Sequence, residues 1–101
     1  MMSNIVPISS NLSSGQAQFK DLLDHFPRFS SYWNWDEREC AYEALKENMG
    51  SMSHGERIIA QFLLGIWTHI DHGFDISEAA SVLDAEARQL IADWLMEPFW
   101  P

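Results

Sequence analysis

The stretch MSHGERII, residues 52–59, brings Ser53, His54 and Glu56 together, and these are the residue types of nucleophilic catalysis. A serine nucleophile needs a base, an orienting acid and an oxyanion hole that converge on one point. Neighbours on a single helical turn do not converge in this way. Ser53 and Glu56 do have the spacing of a capping box directly before an apolar run, so they predict the start of a helix. That cap does not need His54.

A second cluster, THIDHGFD, offers four potential metal ligands: His69, Asp71, His72 and Asp75. A His-x-x-His pair at a helix end can reach one metal ion, with a carboxylate completing the coordination shell. Polar residues also collect at helix ends for capping and solvation, and the His-Glu-x-x-His pattern is missing. No cofactor is therefore predicted, and a metal-binding protein or enzyme built on His69 and His72 remains an alternative.

Carboxylates are the most numerous candidates for binding. The chain has 15 acids and 6 bases, a net charge of −9, and 13 of the acids lie in residues 36–101. Such a field repels nucleic acid and anionic membranes and attracts basic protein surfaces. We therefore predict no direct contact with nucleic acid or membrane, and a partner protein with a basic surface. The predicted partner-binding residues are Asp36, Glu37, Glu39, Glu43, Glu47, Glu78, Glu86, Asp93, Phe99 and Trp100.

Each part of this set has a simpler interpretation. An acidic surface also keeps a protein soluble without any partner. Phe99 and Trp100 follow the last predicted helix, so their rings either fold back on the core or contact a partner. Both alternatives stay open at the level of the sequence.

Length and composition predict one globular domain. The 101 residues are 47% apolar and 13% aromatic, enough for a single core. Cys40 is the only cysteine, which excludes an intramolecular disulfide. No export signal and no run of about 18 apolar residues is evident, so a cytoplasmic location is expected.

The periodicity of the sequence predicts an all-α fold, a compact bundle of four to five helices. A flexible arm over residues 1–13 precedes a single helical domain over 14–101. Residues 27–35 are aromatic and predict extended chain or a short strand. The predicted helices are 15–26, capped by Ser13 or Ser14 and ended by Pro27; 35–49, opened by Asn34 and Glu37; an apolar helix near 54–70; and 76–83 and 85–96, capped by Asp75 and Asp84.

The helix near 54–70 is apolar on most faces, which is typical of the central element of a bundle or of a surface covered by another copy. It would bury Ile58, Phe62 and Leu63 among others. Gly65 lies inside it at a cost in stability relative to alanine, so we expect a neighbouring helix to pack closely there.

The two last predicted helices resemble a helix-turn-helix, with Ala80 and Leu83 near its small and apolar positions. Glu86 and Asp93 occupy the helix that would face DNA, and Arg88 is the only base there. Phosphate would be repelled, so DNA binding is not expected.

Three stretches, SHGERIIAQFLLGIW, FDISEAASVLDAEARQLIADWL and PFWP, resemble a loose group of short bacterial and mobile-element proteins without assigned activity. The resemblance covers residues 50–101 and implies a helical fold but no active site. In size and acidity the chain is also similar to phage and plasmid anti-CRISPR and DNA-mimic inhibitors. We therefore predict a non-enzymatic, acidic interaction module that occupies a basic nucleic-acid-binding surface of a host protein. A homo-oligomeric structural protein is a further alternative.

Overall fold

Helices dominate the computed structural model, which describes residues 12–101. The predicted arm over 1–13 lies outside the described residues, except for Leu12 and Ser13. Each helix of the described part is too short or too polar to span a bilayer. The elements are α1 (Ser14–Asp24), α2 (Pro27–Ser30), β1 (Trp33–Asn34), β2 (Glu39–Cys40), α3 (Tyr42–Asn48), a 3-10 turn (Met49–Ser51), α4 (His54–Thr68), α5 (Ile76–Val82) and α6 (Ala85–Met96).

The first helix begins as predicted and ends earlier. The Ser13 hydroxyl accepts a hydrogen bond from the Gln16 backbone N–H, and the Gln16 side chain accepts one from the Ser13 N–H. The helix ends at Asp24, and Phe26 takes a non-helical conformation because the residue before a proline is disfavoured in a helix. Pro27 then opens α2 at a first-turn position, where its missing N–H costs nothing. This extra turn brings the described part of the chain to six α-helices rather than four to five.

The prediction of a helix over 35–49 is wrong for its first seven residues. Residues 35–40 form the turn and the second strand of a hairpin that begins at Trp33. Trp33 pairs with Cys40 and Asn34 with Glu39 in an antiparallel ladder. The Asn34 side chain does accept from the Glu37 N–H at 3.1 Å, but this bond closes a turn. The helical part begins only at Tyr42.

Burial of aromatic rings gives the physical reason for the hairpin. The strand pair places Trp33 in the core, where it is 6% exposed. Its ring lies 5.3 Å from Phe19 of α1 and 5.9 Å from Trp67 of α4, between centroids. These contacts favour the hairpin over about two further turns of helix, because large rings bury the most apolar surface.

The long apolar helix begins as predicted. The Ser53 hydroxyl accepts from the Glu56 N–H at 3.2 Å and a Glu56 oxygen accepts from the Ser53 N–H at 2.9 Å. Its buried side chains are Ile58, Ala60, Phe62, Leu63, Leu64 and Ile66. The expectation of a neighbouring helix at Gly65 is wrong, since a Cβ there would meet only the Ile70 carbonyl, at 3.8 Å.

The last two helices match their predicted caps. The Asp75 carboxylate accepts from the Glu78 N–H, and that of Asp84 accepts from the Ala87 N–H, both at 2.9 Å. Leu83, between the helices, is buried. Asp84 and Leu83 therefore turn the chain tightly from α5 into α6.

Candidate functional site

The chain after α6 folds back onto the helices. The Trp94 indole N–H donates to the Phe99 carbonyl at 3.0 Å. The Trp100 ring lies 5.2 Å from the Trp94 ring and 4.7 Å from the His69 ring. A Cβ on Gly15 would overlap the Trp100 carbonyl, so only glycine leaves room for this return against the first turn of α1. Of the two predicted anchors, Phe99 is half-buried and Trp100 stays 51% exposed.

One side of this returning segment borders a pocket of about 170 Å³, which we name the aromatic pocket. Polar side chains reach it from Gln61, Asp71 and His72. Its apolar wall consists of Phe62, Gly65, Ile66, Phe74, Trp94, Leu95 and Trp100. The pocket therefore combines several rings with a single carboxylate.

The other side borders a groove of about 250 Å³ between α1 and α6, which we name the acidic groove. Three carboxylates line it, Asp21 from α1 and Asp93 and Glu97 from the end of α6. Its remaining lining is Gln18, Leu22, His25, Leu90, Trp94 and Phe99. Trp94 separates the two cavities and contributes to both.

The structure redistributes the carboxylates that were predicted to lie on the second helix. Asp36 and Glu37 occupy the hairpin turn and Glu39 lies on β2, because the first part of that helix is not formed. Glu43 and Glu47 are exposed on α3, as predicted. These five residues therefore do not lie on one face of a single helix.

The predicted acids of the last two helices also differ in role. Glu78 is half-buried, and its carboxylate lies 2.9 Å from His54 Nε2, which explains the histidine that the cap did not need. Glu86 is exposed in the first turn of α6. Asp93 lines the acidic groove and accepts from the Gln89 amide at 2.7 Å.

Two groove residues, Asp21 and Glu97, were missed at the level of the sequence. Asp21 lies in residues 1–35, where acids and bases balance, so that segment did not stand out. Glu97 directly follows the last helix. The acids of α1 and α6 line one groove only because the two helices pack together. The spacing of these acids in the sequence does not indicate that they are close in space.

His69 and His72, which were considered as metal ligands, contact different residues. His72 Nε2 lies 2.9 Å from the Thr68 hydroxyl, and its ring contacts that of Tyr42. The His69 ring contacts Trp100. Within residues 12–101, no three His, Cys, Asp or Glu side chains are grouped so that they could hold a metal ion.

The Ser53, His54 and Glu56 side chains are all engaged in structural contacts. The hydrogen bond from the Ser53 backbone N–H is the main reason that the pKa of Glu56 is lowered, and Arg28, 3.0 Å away, lowers it further. Cys40 is no activated nucleophile, because burial raises the pKa of its thiol to about 11.

Comparison with known proteins finds no matching family model, no matching curated protein and no matching solved structure. The resemblance of residues 50–101 to short bacterial and mobile-element proteins therefore stays a prediction. The charge of the chain and the geometry of the aromatic pocket and the acidic groove bear on its function.

Proposed function

We propose that this chain is a non-enzymatic, acidic interaction module that binds a basic surface of another protein. The acidic groove is the observation that carries the proposal. It sets Asp21, Asp93 and Glu97 beside the Trp94 and Phe99 rings in one concavity. A lysine or arginine side chain has matching parts, a cationic head for the carboxylates and an apolar stem for the rings.

The wider charge distribution supports the same partner. Exposed carboxylates on α3 and α6, such as Glu43, Glu47 and Glu86, surround the chain with negative potential. Long-range attraction of this kind speeds the encounter with a basic protein and disfavours acidic ones. Proteins hold DNA or RNA on basic surfaces that neutralise phosphate charge, so the proposal puts the chain in competition with nucleic acid.

The proposed biological role is inhibition of a host protein by a phage or mobile element, in the manner of anti-CRISPR or DNA-mimic proteins, in the cytoplasm. Small size and acidity support this role. In the proposed arrangement α4 is the central helix, supported by its six buried side chains, and α1 and α6 present the groove. Most of the apolar residues that suggested a homo-oligomer, such as Ile58, Phe62 and Leu63, are buried inside the chain, while Ile70 stays 62% exposed. This burial favours the interaction module.

Affinity capture from a bacterial lysate tests the proposal. Immobilised chain should retain nucleic-acid-binding proteins at low salt and release them as salt rises or when duplex DNA is added, because both weaken or replace the carboxylate contacts. The variant Asp21→Asn/Asp93→Asn/Glu97→Gln should lose most of this retention.

The matched control, Glu39→Gln/Glu43→Gln/Glu47→Gln, removes the same number of charges outside the groove and should keep most of the retention. Equal losses in both variants would reject the groove as the site. Retention that neither salt nor DNA affects would reject a basic partner altogether.

A further inference from the structure

We propose that the aromatic pocket binds a quaternary ammonium group, such as the trimethylammonium head of choline. This site shares only the Trp94 wall with the acidic groove and does not depend on the proposed partner.

The rings that line the pocket pack against one another at steep angles. The Trp94 ring is nearly perpendicular to that of Trp100, at 87°, and to that of Phe62, at 89°. The centroid distances are 5.2 and 5.6 Å, and Phe74 lies 5.3 Å from Phe62. Faces of aromatic rings attract cations within about 6 Å, and boxes of such rings recognise quaternary ammonium groups.

The charged groups that line the pocket favour a cation, and Lys46 lies near His72 outside that lining. Asp71 contributes a carboxylate, one oxygen of which accepts from the Gly73 N–H at 2.7 Å. Among the described residues that line the pocket there is no lysine or arginine. Burial lowers the pKa of His72, which keeps its ring neutral at neutral pH. A quaternary ammonium group has no N–H donor. It can therefore be buried against aromatic rings without leaving a donor unsatisfied.

The volume fits a compact head group. At about 170 Å³ the pocket is close in size to the cavity of roughly 150 Å³ that takes up benzene in a well-studied case. Trp100 is half exposed, so a ligand reaches the pocket from solvent. A group of a few carbon atoms around one nitrogen therefore fits without opening the core.

The position of Gly65 in the pocket wall independently supports a ligand site. Glycine inside a helix costs about 0.5–1 kcal/mol relative to alanine, and no turn or neighbouring helix requires it here. Gly65 lines the aromatic pocket, and a Cβ there would meet only one carbonyl oxygen, at 3.8 Å. Its missing side chain thus leaves open the space that a ligand would occupy.

Isothermal titration calorimetry with choline and with its uncharged carbon analogue, 3,3-dimethylbutan-1-ol, tests the proposal. The two probes have the same shape, so their difference isolates the charge. Choline should bind about tenfold more tightly, the size of one cation–π contact. Asp71→Asn should weaken choline about threefold or more and leave the alcohol unchanged, since Asn retains the acceptor for Gly73.

Gly65→Leu fills the pocket and should abolish choline binding, with a thermal melt to show that the chain is folded. If that variant unfolds, Gly65→Ala serves instead and should raise the melting temperature while weakening choline. Gly50→Leu is the matched control, because a Cβ at Gly50 meets nothing within 4 Å.

A peptide with trimethyllysine separates the two sources of the same head group, since a protein ligand would bind more tightly than free choline. Equal or tighter binding of the alcohol would overturn the proposal and identify a neutral apolar pocket. So would the absence of binding by both cations. Neither result affects the acidic groove, whose variant leaves the aromatic pocket intact.

Discussion

At the scale of single residues, His72 couples the fold to pH. The Thr68 hydroxyl donates to the Leu64 carbonyl at 2.7 Å, so His72 Nε2–H is the donor in its 2.9 Å contact with Thr68. Burial lowers the pKa of His72 from 6.5, the nearby Lys46 charge adds to this, and Asp71 opposes it. Protonation therefore opposes the folded state.

We expect the free energy of unfolding to fall as pH drops below 6.5. In that range the unfolded chain binds a proton at His72 that the folded chain does not, so stability is complete above the unfolded pKa and declines below it. Urea denaturation between pH 8 and 5 measures this, and His72→Gln should flatten the slope around pH 6. A slope that His72→Gln leaves unchanged would contradict the assignment.

At the scale of elements, the return of the C-terminal segment depends on Gly15 in α1. A Cβ at this position would overlap the backbone of Trp100, which cannot move aside as a flexible side chain could. We expect Gly15→Ala to displace residues 100–101 from α1, although alanine is the better helix former. Hydrogen exchange at the Trp100 amide should then be several-fold faster.

Gly50→Ala is the corresponding control, since its Cβ direction is open. If the exchange rate were the same in Gly15→Ala and in the wild-type chain, the last residues would not be held against α1 in the wild-type chain. In that case Trp100 would not be a fixed wall of the aromatic pocket.

At the scale of the whole molecule, net charge sets opposite salt dependences for stability and binding. A chain of net charge −9 repels itself when compact, and salt screens that repulsion. Exposed ion pairs such as Lys20–Asp24, at 3.8 Å, offset little of it.

We expect the melting temperature to rise by a few degrees between roughly 10 mM and 500 mM NaCl, while retention of a basic partner falls. Differential scanning calorimetry gives the first quantity. A melting temperature that falls with salt would show that attractive ion pairs outweigh self-repulsion in the folded chain.

Local signals in the sequence predicted the helix starts well. Ser13, Ser53, Asp75 and Asp84 all cap helices as expected, because a cap needs only residues within one turn of each other. The predicted range 85–96 coincides with α6 for the same reason. The acidity that motivates the proposed partner is likewise a property of composition alone.

Only tertiary structure decided the rest, because the forces involved act between distant residues. Asn34 and Glu37 have the spacing of a cap, yet burial of Trp33 against Phe19 and Trp67 turns that segment into a hairpin. The sequence likewise left open whether the last residues return to the helices. Their return creates the two cavities, since Trp94 gains its neighbours Phe99 and Trp100 only through packing. In MSHGERII the sequence determined the helix start, and the fold supplied the partner of His54, 24 residues away at Glu78.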